Sequence, residues 1–92
     1  MADTPTSRST KHCKKQEWHY YITEKWNPGA KRRVDAFGFG DILVMDGKPG
    51  SLLVQATTTP HAANRKTKIL ETCEETAKAW LEAGNRIEVW GW

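Results

Sequence analysis

The sequence predicts an α/β fold with a small mixed sheet, in the element order α-β-β-β-α-β and with a short or weak first helix. Three observations predict this class. Three strand-like segments come first, a long amphipathic helix follows, and an apolar segment at 86–92 comes last. A strand reached through a helix is expected to run parallel to the strand before that helix, by a right-handed crossover. A chain of 92 residues is enough for one such domain.

The polar opening, MADTPTSRST, predicts a flexible tail at 1–10 ahead of a single domain at 11–92. A short helix is expected to start at Ser9 or Thr10 and to run through KHCKKQ. This helix has little apolar face, so little core packing is expected from it.

The three strand-like segments differ in pattern. Residues 17–26 (EWHYYITEKW) are rich in aromatic and β-branched side chains, and 27–31 (NPGAK) is expected to turn. Residues 37–45 begin with FGFG and continue as an unbroken apolar run, which is typical of a strand covered on both faces. The segment 46–50 (DGKPG) carries hairpin signals, so 51–57 is expected to return antiparallel to 37–45.

The long helix is expected at Pro60–Ala83. Thr59 suits the N-cap position, and a proline in the first turn loses no hydrogen bond. Apolar residues then recur at spacings of three and four, and Lys66 interrupts this stripe early. Gly84 is a typical residue at which a helix stops.

Charge is unevenly distributed along the chain. The formal net charge is +3, and basic residues concentrate at 11–15, 31–33 and 65–68. Such clusters suit a polyanion, because each phosphate that they neutralise releases counterions. No apolar run approaches the ~20 residues of a membrane span, and the opening residues lack the apolar region of a secretion signal. The two cysteines are expected to be free thiols.

A carboxylate and an amide interrupt the two apolar strands. Asp41 lies near the start of one strand and Gln55 near the end of its antiparallel partner, so both are expected at the same end of the hairpin. Each residue alone has a structural explanation, Asp41 as a cap of the preceding loop and Gln55 within a buried hydrogen-bond network. Together, a carboxylate, an amide oxygen and a backbone carbonyl form a ligand set that suits a divalent cation.

Strand order and spacing resemble the PD-(D/E)XK nuclease superfamily. Its restriction-endonuclease-like core has an aspartate on the second strand and an acid-x-lysine motif on the third. Asp41 matches the aspartate, and the tripeptide 55–57 (QAT) falls at the acid-x-lysine motif. More narrowly, 24–69 resembles short phage and bacterial proteins of the Holliday junction resolvase-like branch, and this segment covers about half of the chain.

The resemblance implies a site for Mg²⁺ or Mn²⁺. Asp41, Gln55 and the Ala56 carbonyl would be ligands, and Glu24 would be the extra acid that some resolvases place beside the metal. Asp35 is an alternative to Glu24 in that role. Gln55 keeps an oxygen ligand at the motif's acidic position but lacks the negative charge.

The same resemblance assigns catalytic roles to Asp41, Gln55 and Lys66. Thr57 cannot replace the lysine ammonium of the motif, which orients the attacking water and stabilises developing charge. Some members of the superfamily supply this lysine from the following helix. Lys66 is then the best candidate, since it interrupts the apolar stripe within two turns of the helix start.

The implied function is a phage-type, metal-dependent nuclease or nuclease-like DNA-processing protein that hydrolyses phosphodiester bonds in DNA. We expect it in the cytoplasm of a bacterial or phage-infected cell, and as a homodimer by analogy with resolvases. The residues expected to contact nucleic acid are Lys31, Arg32, Arg33, Arg65 and Lys68.

Two other functions remain open. One is a catalytically inactive nuclease-fold module that binds nucleic acid or a nucleic-acid-handling protein, for example a phage inhibitor of host defence. The other is a protein-interaction domain that uses Trp90 and Trp92. The basic clusters favour nucleic acid over a purely structural role.

Overall fold

A computed structural model describes residues 3–29 and 31–92. It contains three α-helices, α1 (Pro5–Lys15), α2 (Ala62–Thr72) and α3 (Glu74–Glu82), and a 3₁₀ turn at Thr59–His61. Its strands are β1 (His19–Ile22), β2 (Lys25–Asn27), β3 (Arg32–Val34), β4 (Ile42–Met45), β5 (Leu52–Thr57) and β6 (Arg86–Gly91). The predicted α/β class with a small mixed sheet is confirmed. The observed chain order has two more strands and one more helix than predicted.

Four strands form the main sheet, in the order β1-β4-β5-β6. The pairs β1–β4 and β4–β5 are antiparallel, and β5–β6 is parallel, as a crossover through helices predicts. β4 and β5 are the central strands, which explains why their sequences are nearly continuous apolar runs. The remaining strands, β2 and β3, pair only with each other as a two-stranded hairpin.

The two faces of the sheet bury different clusters. On the face that α1 covers, the buried residues are Cys13, Ile42, Val44, Leu52 and Val54. On the face that α2 and α3 cover, they are Phe39, Leu53, Ile69 and Ala77. Because side chains alternate along a strand, the remaining residues of β4 and β5 can be assigned to a face by their spacing from these buried residues.

Helix α1 begins at Pro5, before the predicted start and inside the segment expected to be a tail. The Thr4 side chain accepts a hydrogen bond from the Ser7 N–H, and the following proline suits the first turn. Ser9 and Cys13 are both fully buried, so one side of this polar helix does pack on the sheet. Small side chains make that contact, so the sequence of this helix shows no stripe of large apolar residues.

The segment predicted as a single strand at 17–26 is divided. The N–H groups of Thr23 and Glu24 both donate to the Asp41 carbonyl, at 2.8 and 3.3 Å, and the ladder with β4 ends there. The chain then leaves the main sheet as β2 and returns as β3, through the predicted turn after Asn27.

The glycine-rich start of the predicted strand 37–45 is a turn. Phe37 and Gly38 have φ angles of 56° and 84°, and the N–H groups of Phe39 and Gly40 donate to the Ala36 carbonyl. Gly40 also lies against β5, where a Cβ would meet the Leu53 side chain at 2.5 Å. The strand itself begins only at Ile42.

The predicted helix at Pro60–Ala83 is broken at Cys73, whose φ and ψ angles of −111° and 24° are not helical. The turn at 37–40 packs against this break, since the Thr76 hydroxyl contacts the carbonyls of Phe37 and Cys73 at 3.3 and 3.1 Å. The apolar stripe continues on both sides of the break, so periodicity alone predicts one helix. Across the described parts of the chain, no helix is both long and apolar enough to cross a bilayer.

Candidate metal site

Asp41 and Gln55 are in contact where β4 begins and β5 approaches its end. The register of the two strands extends to Ile42 opposite Val54, and the Asp41 N–H also donates to the Val54 carbonyl at 2.8 Å, so the regular ladder ends at this point. Gln55 lies two residues after Leu53 and faces α2 and α3, and the Asp41 side chain lies on the same face because it contacts Gln55. The two residues lie at the same end of the hairpin, as expected.

The Asp41 carboxylate is held by two neighbours on β5. Gln55 Nε2 donates to Asp41 Oδ2 at 3.1 Å, and the Ala56 N–H donates to the same oxygen at 2.8 Å. Asp41 and Gln55 are each only 4% exposed, so this acid and amide are parts of the core. The carbonyl of Ala56 leaves the strand on the same side as its N–H, as it does in any antiparallel pair.

Two further acids reach the same point from the β2–β3 hairpin. Glu24 directly precedes β2, and Asp35 directly follows β3. One ligand oxygen from each of Glu24, Asp35 and Asp41 lies within 4.8 Å of the other two. Asp41 is buried, whereas Glu24 and Asp35 are partly exposed, so the cluster has an inner carboxylate and an outer pair.

The position of Asp35 depends on the tight turn that follows it. Ala36 and Gly40 form an antiparallel bridge, which brings the chain from Asp35 back to Asp41 within a few residues. The other acid is fixed by the backbone, because the Glu24 N–H and the Thr23 N–H share the Asp41 carbonyl. Backbone contacts thus hold the chain at both outer acids close to Asp41.

The pKa of Asp41 is raised to about 7, and burial is the largest cause. A hydrogen bond with the Asp35 carboxyl acts in the same direction, while the Ala56 N–H acts in the opposite direction. The negative charges of Asp35 and Glu24 add smaller upward contributions. A hydrogen bond between two carboxyls needs one proton, so without a cation the cluster holds a proton near neutral pH.

Gln55 provides an oxygen that has no partner. Among the described residues, its Oε1 is buried and makes no hydrogen bond. Leaving a buried acceptor unsatisfied costs about 1–3 kcal/mol. Nε2 and Oε1 share one carbon atom, so this oxygen is adjacent to the nitrogen that contacts Asp41, and rotation of the amide exchanges the two.

The donor set fits a divalent cation. Three carboxylates and an amide oxygen are the hard ligands that Mg²⁺, Mn²⁺ and Ca²⁺ accept. Two oxygens bound to one such ion lie at most about 4–5 Å apart, and the carboxylates already meet this spacing. A cation would satisfy the unpartnered Gln55 oxygen and replace the shared proton.

Lys66, which was predicted to supply positive charge to the site, lies on the surface of α2 and not in the carboxylate cluster. Lys66 is exposed on α2 and lines a cavity of about 430 Å³ with Ile69 and Val89. Val89 is the parallel partner of Gln55, so Lys66 approaches the site across β6. Thr57 is buried, at 6% exposure, on the same face of β5 as Gln55.

The predicted nucleic-acid contacts form two groups. Arg65 and Lys68 are exposed on α2, and Lys31 is exposed in the turn of the β2–β3 hairpin. The backbones of Arg32 and Arg33 form β3, but their side chains lie outside what the structure describes. The hairpin that carries these cations ends at the acids Glu24 and Asp35.

Sequence reasoning treated Glu24 and Asp35 as alternatives, and the structure brings both to Asp41. Glu24 was predicted from the resemblance to resolvases, which place an extra acid beside the metal, and Asp35 as an alternative in that role. Lys25 pairs with Val34, and this pairing places the flanking residues Glu24 and Asp35 side by side. Knowledge of this pairing would have predicted that both acids belong to one cluster. Three-residue strands are too short for their sequence pattern to show this pairing.

The chain matches no family model, no curated protein and no solved structure. Its function must therefore be inferred from the geometry of this site.

Proposed function

We propose that the protein is a divalent-cation-dependent nuclease that hydrolyses phosphodiester bonds in DNA. The observation that carries this proposal is the convergence of three carboxylates, those of Glu24, Asp35 and Asp41, beside the Gln55 amide. The nitrogen of this buried amide contacts Asp41, and its oxygen has no partner among the described residues. Mg²⁺ is typically held by one or two carboxylates together with substrate phosphates. A partly exposed cluster of oxygens suits that use better than a closed structural site.

The order of the sheet supports a restriction-endonuclease-like core. β1, β4 and β5 form an antiparallel meander, and β6 joins β5 in parallel after the helices. In this interpretation the β2–β3 hairpin is an insertion between the first two strands of the meander. Asp41 then lies at the start of the second core strand, and Gln55 lies on the third.

A bound Mg²⁺ or Mn²⁺ would polarise a phosphoryl oxygen and lower the pKa of a bound water. Asp41, Gln55 and Glu24 would hold it, with the Ala56 carbonyl on the same side of β5. Asp35 is partly exposed and already hydrogen-bonded to Asp41, so it is the group best positioned to accept a proton from an attacking water.

Basic residues flank the site on two elements, and this charge favours a nucleic-acid substrate. Lys31 lies on the hairpin, and Arg65 and Lys68 lie on α2. If these residues, with Arg32 and Arg33, each contact a phosphate, the logarithm of the DNA association constant falls with the logarithm of salt at a slope of about −4 to −5. A flat salt response would contradict DNA as the partner.

Cation binding is tested by isothermal titration calorimetry with Mn²⁺ at pH 8. Asp41→Asn keeps the shape of the side chain and removes its charge, so we expect the affinity for Mn²⁺ to fall at least about tenfold. Glu71→Gln on the exposed surface of α2 is the matched control and should not change it. Equal Mn²⁺ affinities of wild type and Asp41→Asn would exclude this metal site.

Activity is tested with Mg²⁺ and Mn²⁺ on duplex, single-stranded and four-way-junction DNA. We expect weak cleavage that Mn²⁺ favours and that Asp41→Asn abolishes. The catalytically inactive module remains the second candidate, since Thr57 replaces a lysine and Lys66 is exposed. A wild type that binds Mn²⁺ and DNA but cleaves none of these substrates would establish that second function.

A further inference from the structure

A second site lies on the α1 face of the sheet, away from the carboxylates. His12 of α1 contacts three indole rings, with centroid distances of 5.5 Å to Trp18, 5.4 Å to Trp90 and 5.9 Å to Trp92. The rings of Trp90 and Trp92 are 6.5 Å apart and nearly perpendicular, at 85°. They form two walls of a cleft of about 310 Å³, to which His12, Val89 and Gly91 also contribute.

The two indoles of this cleft are fixed before any ligand binds. Trp92 Nε1 donates to the buried Ser9 hydroxyl at 2.9 Å, and Trp90 Nε1 donates to Glu88 at 2.8 Å. Core packing explains Trp18 and Trp90, which contact the buried cluster of this face. It does not explain Trp92, which stays 37% exposed although its ring is anchored. An oriented, partly exposed indole loses little further freedom when a flat ligand stacks on it.

Positive charge adjoins the indole cleft. A second cleft of about 420 Å³ shares His12 and Trp92 with it, and its remaining lining residues are Asp3, Arg8, Lys11 and Lys15. Lys11 pairs with Asp3 at 2.8 Å, which leaves the cations in excess. An aromatic surface that continues into a basic one matches a chain of bases linked by phosphates.

The indole cleft lies at the same end of the sheet as the carboxylates, but on the opposite face. β6 runs parallel to β5, and Thr57 pairs with Gly91, so the cleft is at the sheet end where Gln55 and Asp41 lie. Trp90 is two strands away from β4, or about 10 Å at the usual strand spacing. The carboxylates and Trp90 point to opposite faces of the sheet, since Trp90 packs with the α1 cluster.

We propose that the indole cleft binds an unpaired nucleobase of a single-stranded nucleic acid, and that Arg8, Lys11 and Lys15 hold the adjoining phosphates. The base stacks on the fixed rings of Trp90 and Trp92. This site does not depend on the metal site, because it shares no residue with the carboxylate cluster.

The test is a fluorescence titration in EDTA with a short oligothymidylate, a matching oligouridylate, a blunt duplex and a polyglutamate peptide. We expect at least one single-stranded oligonucleotide to quench tryptophan emission, and the two oligonucleotides to show whether DNA or RNA is preferred. Trp92→Leu should weaken this binding about five- to a hundredfold, the range found for one stacked base. Lys15→Gln should reduce the steepness of the salt dependence by about 0.7.

Lys78→Gln is the matched charge control, because Lys78 is exposed on α3 at the other face; its affinity and salt slope should equal those of wild type. The titration is run in EDTA, so no divalent cation occupies the carboxylate cluster, and this separates binding in the cleft from metal-dependent binding at the proposed nuclease site. If Trp92→Leu fails to fold by circular dichroism, the quenching of wild type and the salt slope of Lys15→Gln decide the question.

Three results would overturn the proposal. These are no binding to either oligonucleotide at low salt, an unchanged affinity of a folded Trp92→Leu variant, and equal or stronger quenching by the duplex or by polyglutamate. Polyglutamate binding would instead identify an acidic peptide as the ligand of the cleft.

Discussion

Glu24 and Asp35 lie at the two ends of the β2–β3 hairpin, and their carboxylates meet beside Asp41. The pairing of Lys25 with Val34 joins the strands next to these acids. Three carboxylates at this distance repel one another once all are ionised. A divalent cation would remove that repulsion and fix the base of the hairpin against the sheet. Hairpin position and cation binding are therefore expected to be coupled.

The first prediction concerns the pH dependence of stability. The pKa of Asp41 is raised to about 7 in the folded protein, against about 3.9 in an unfolded chain. Between these values the folded state holds a proton that the unfolded state has lost, so the free energy of unfolding falls as pH rises. The loss in the free energy of unfolding is complete above about pH 7, where the carboxylate is ionised in both states, and it is absent below about pH 4, where both states are protonated.

Asp41→Asn should remove this dependence, with a difference of at most about 1.4 kcal/mol per pH unit between the two proteins. Urea denaturation of both proteins from pH 4 to pH 8 measures it. We expect the variant to be the more stable one at pH 8, and Mn²⁺ to stabilise only the wild type. A variant less stable than wild type at every pH would show that Asp41 is structural.

Gln55→Glu replaces the buried amide with an acid and adds a fourth carboxylate to the cluster. Without a cation, we expect this charge to lower stability at pH 8, because it is buried beside Asp41. With Mn²⁺, the added charge should tighten binding about tenfold or more and maintain or increase any cleavage. Calorimetric titration gives the affinity, and Gln55→Leu, which has no ligand oxygen, should weaken it.

Lys66→Met tests whether α2 supplies a positive charge to the candidate site. Methionine keeps an apolar stem beside Ile69 and Val89, so the cavity lining should be preserved. We expect the rate of DNA cleavage to fall about 10²- to 10³-fold while the affinity for DNA stays nearly unchanged. Lys78→Met on the exposed surface of α3 is the control and should not change the rate. Equal rates for wild type and Lys66→Met would remove Lys66 from the site.

A partly buried ion pair connects the β4–β5 turn to the start of β6. Arg86 donates to both oxygens of Asp46, at 2.6 and 2.8 Å, and the guanidinium lowers the pKa of Asp46. A lowered pKa stabilises the fold above the unfolded value of about 3.9, and this contribution is lost as pH falls. Asp46→Asn should lower Tm by several degrees at pH 7 and much less at pH 3. Glu82→Gln, which breaks the exposed pair with Lys78, should barely change Tm at either pH.

The central part of the fold could be predicted because local signals determine it. The turn at 46–50 separates two apolar runs, and this alone sets β4 against β5 and brings Asp41 to Gln55. The parallel pairing of β6 follows from the helices that precede it. These features need only the period of the apolar residues and the identity of the turn residues.

Long-range contacts determine the remaining features. The helix break at Cys73 depends on the turn at 37–40, which packs on it from a distant part of the chain. The hairpin β2–β3 consists of two three-residue strands without apolar alternation, so no sequence pattern marks it. Both acids that complete the candidate site are next to this hairpin, and their convergence could not be predicted for that reason.

The contact between Asp41 and Gln55 has a consequence for the order of folding. β4 and β5 are joined by a short turn, so their contacts are close in sequence and their pairing costs little loop entropy. The β5–β6 pairing must wait for closure of the whole helical segment between Thr57 and Arg86. We expect high φ-values for Val54→Ala and low ones for Val89→Ala in stopped-flow folding experiments. The reverse ranking would contradict this order, in which the inner carboxylate reaches its amide partner early and the outer acids join later.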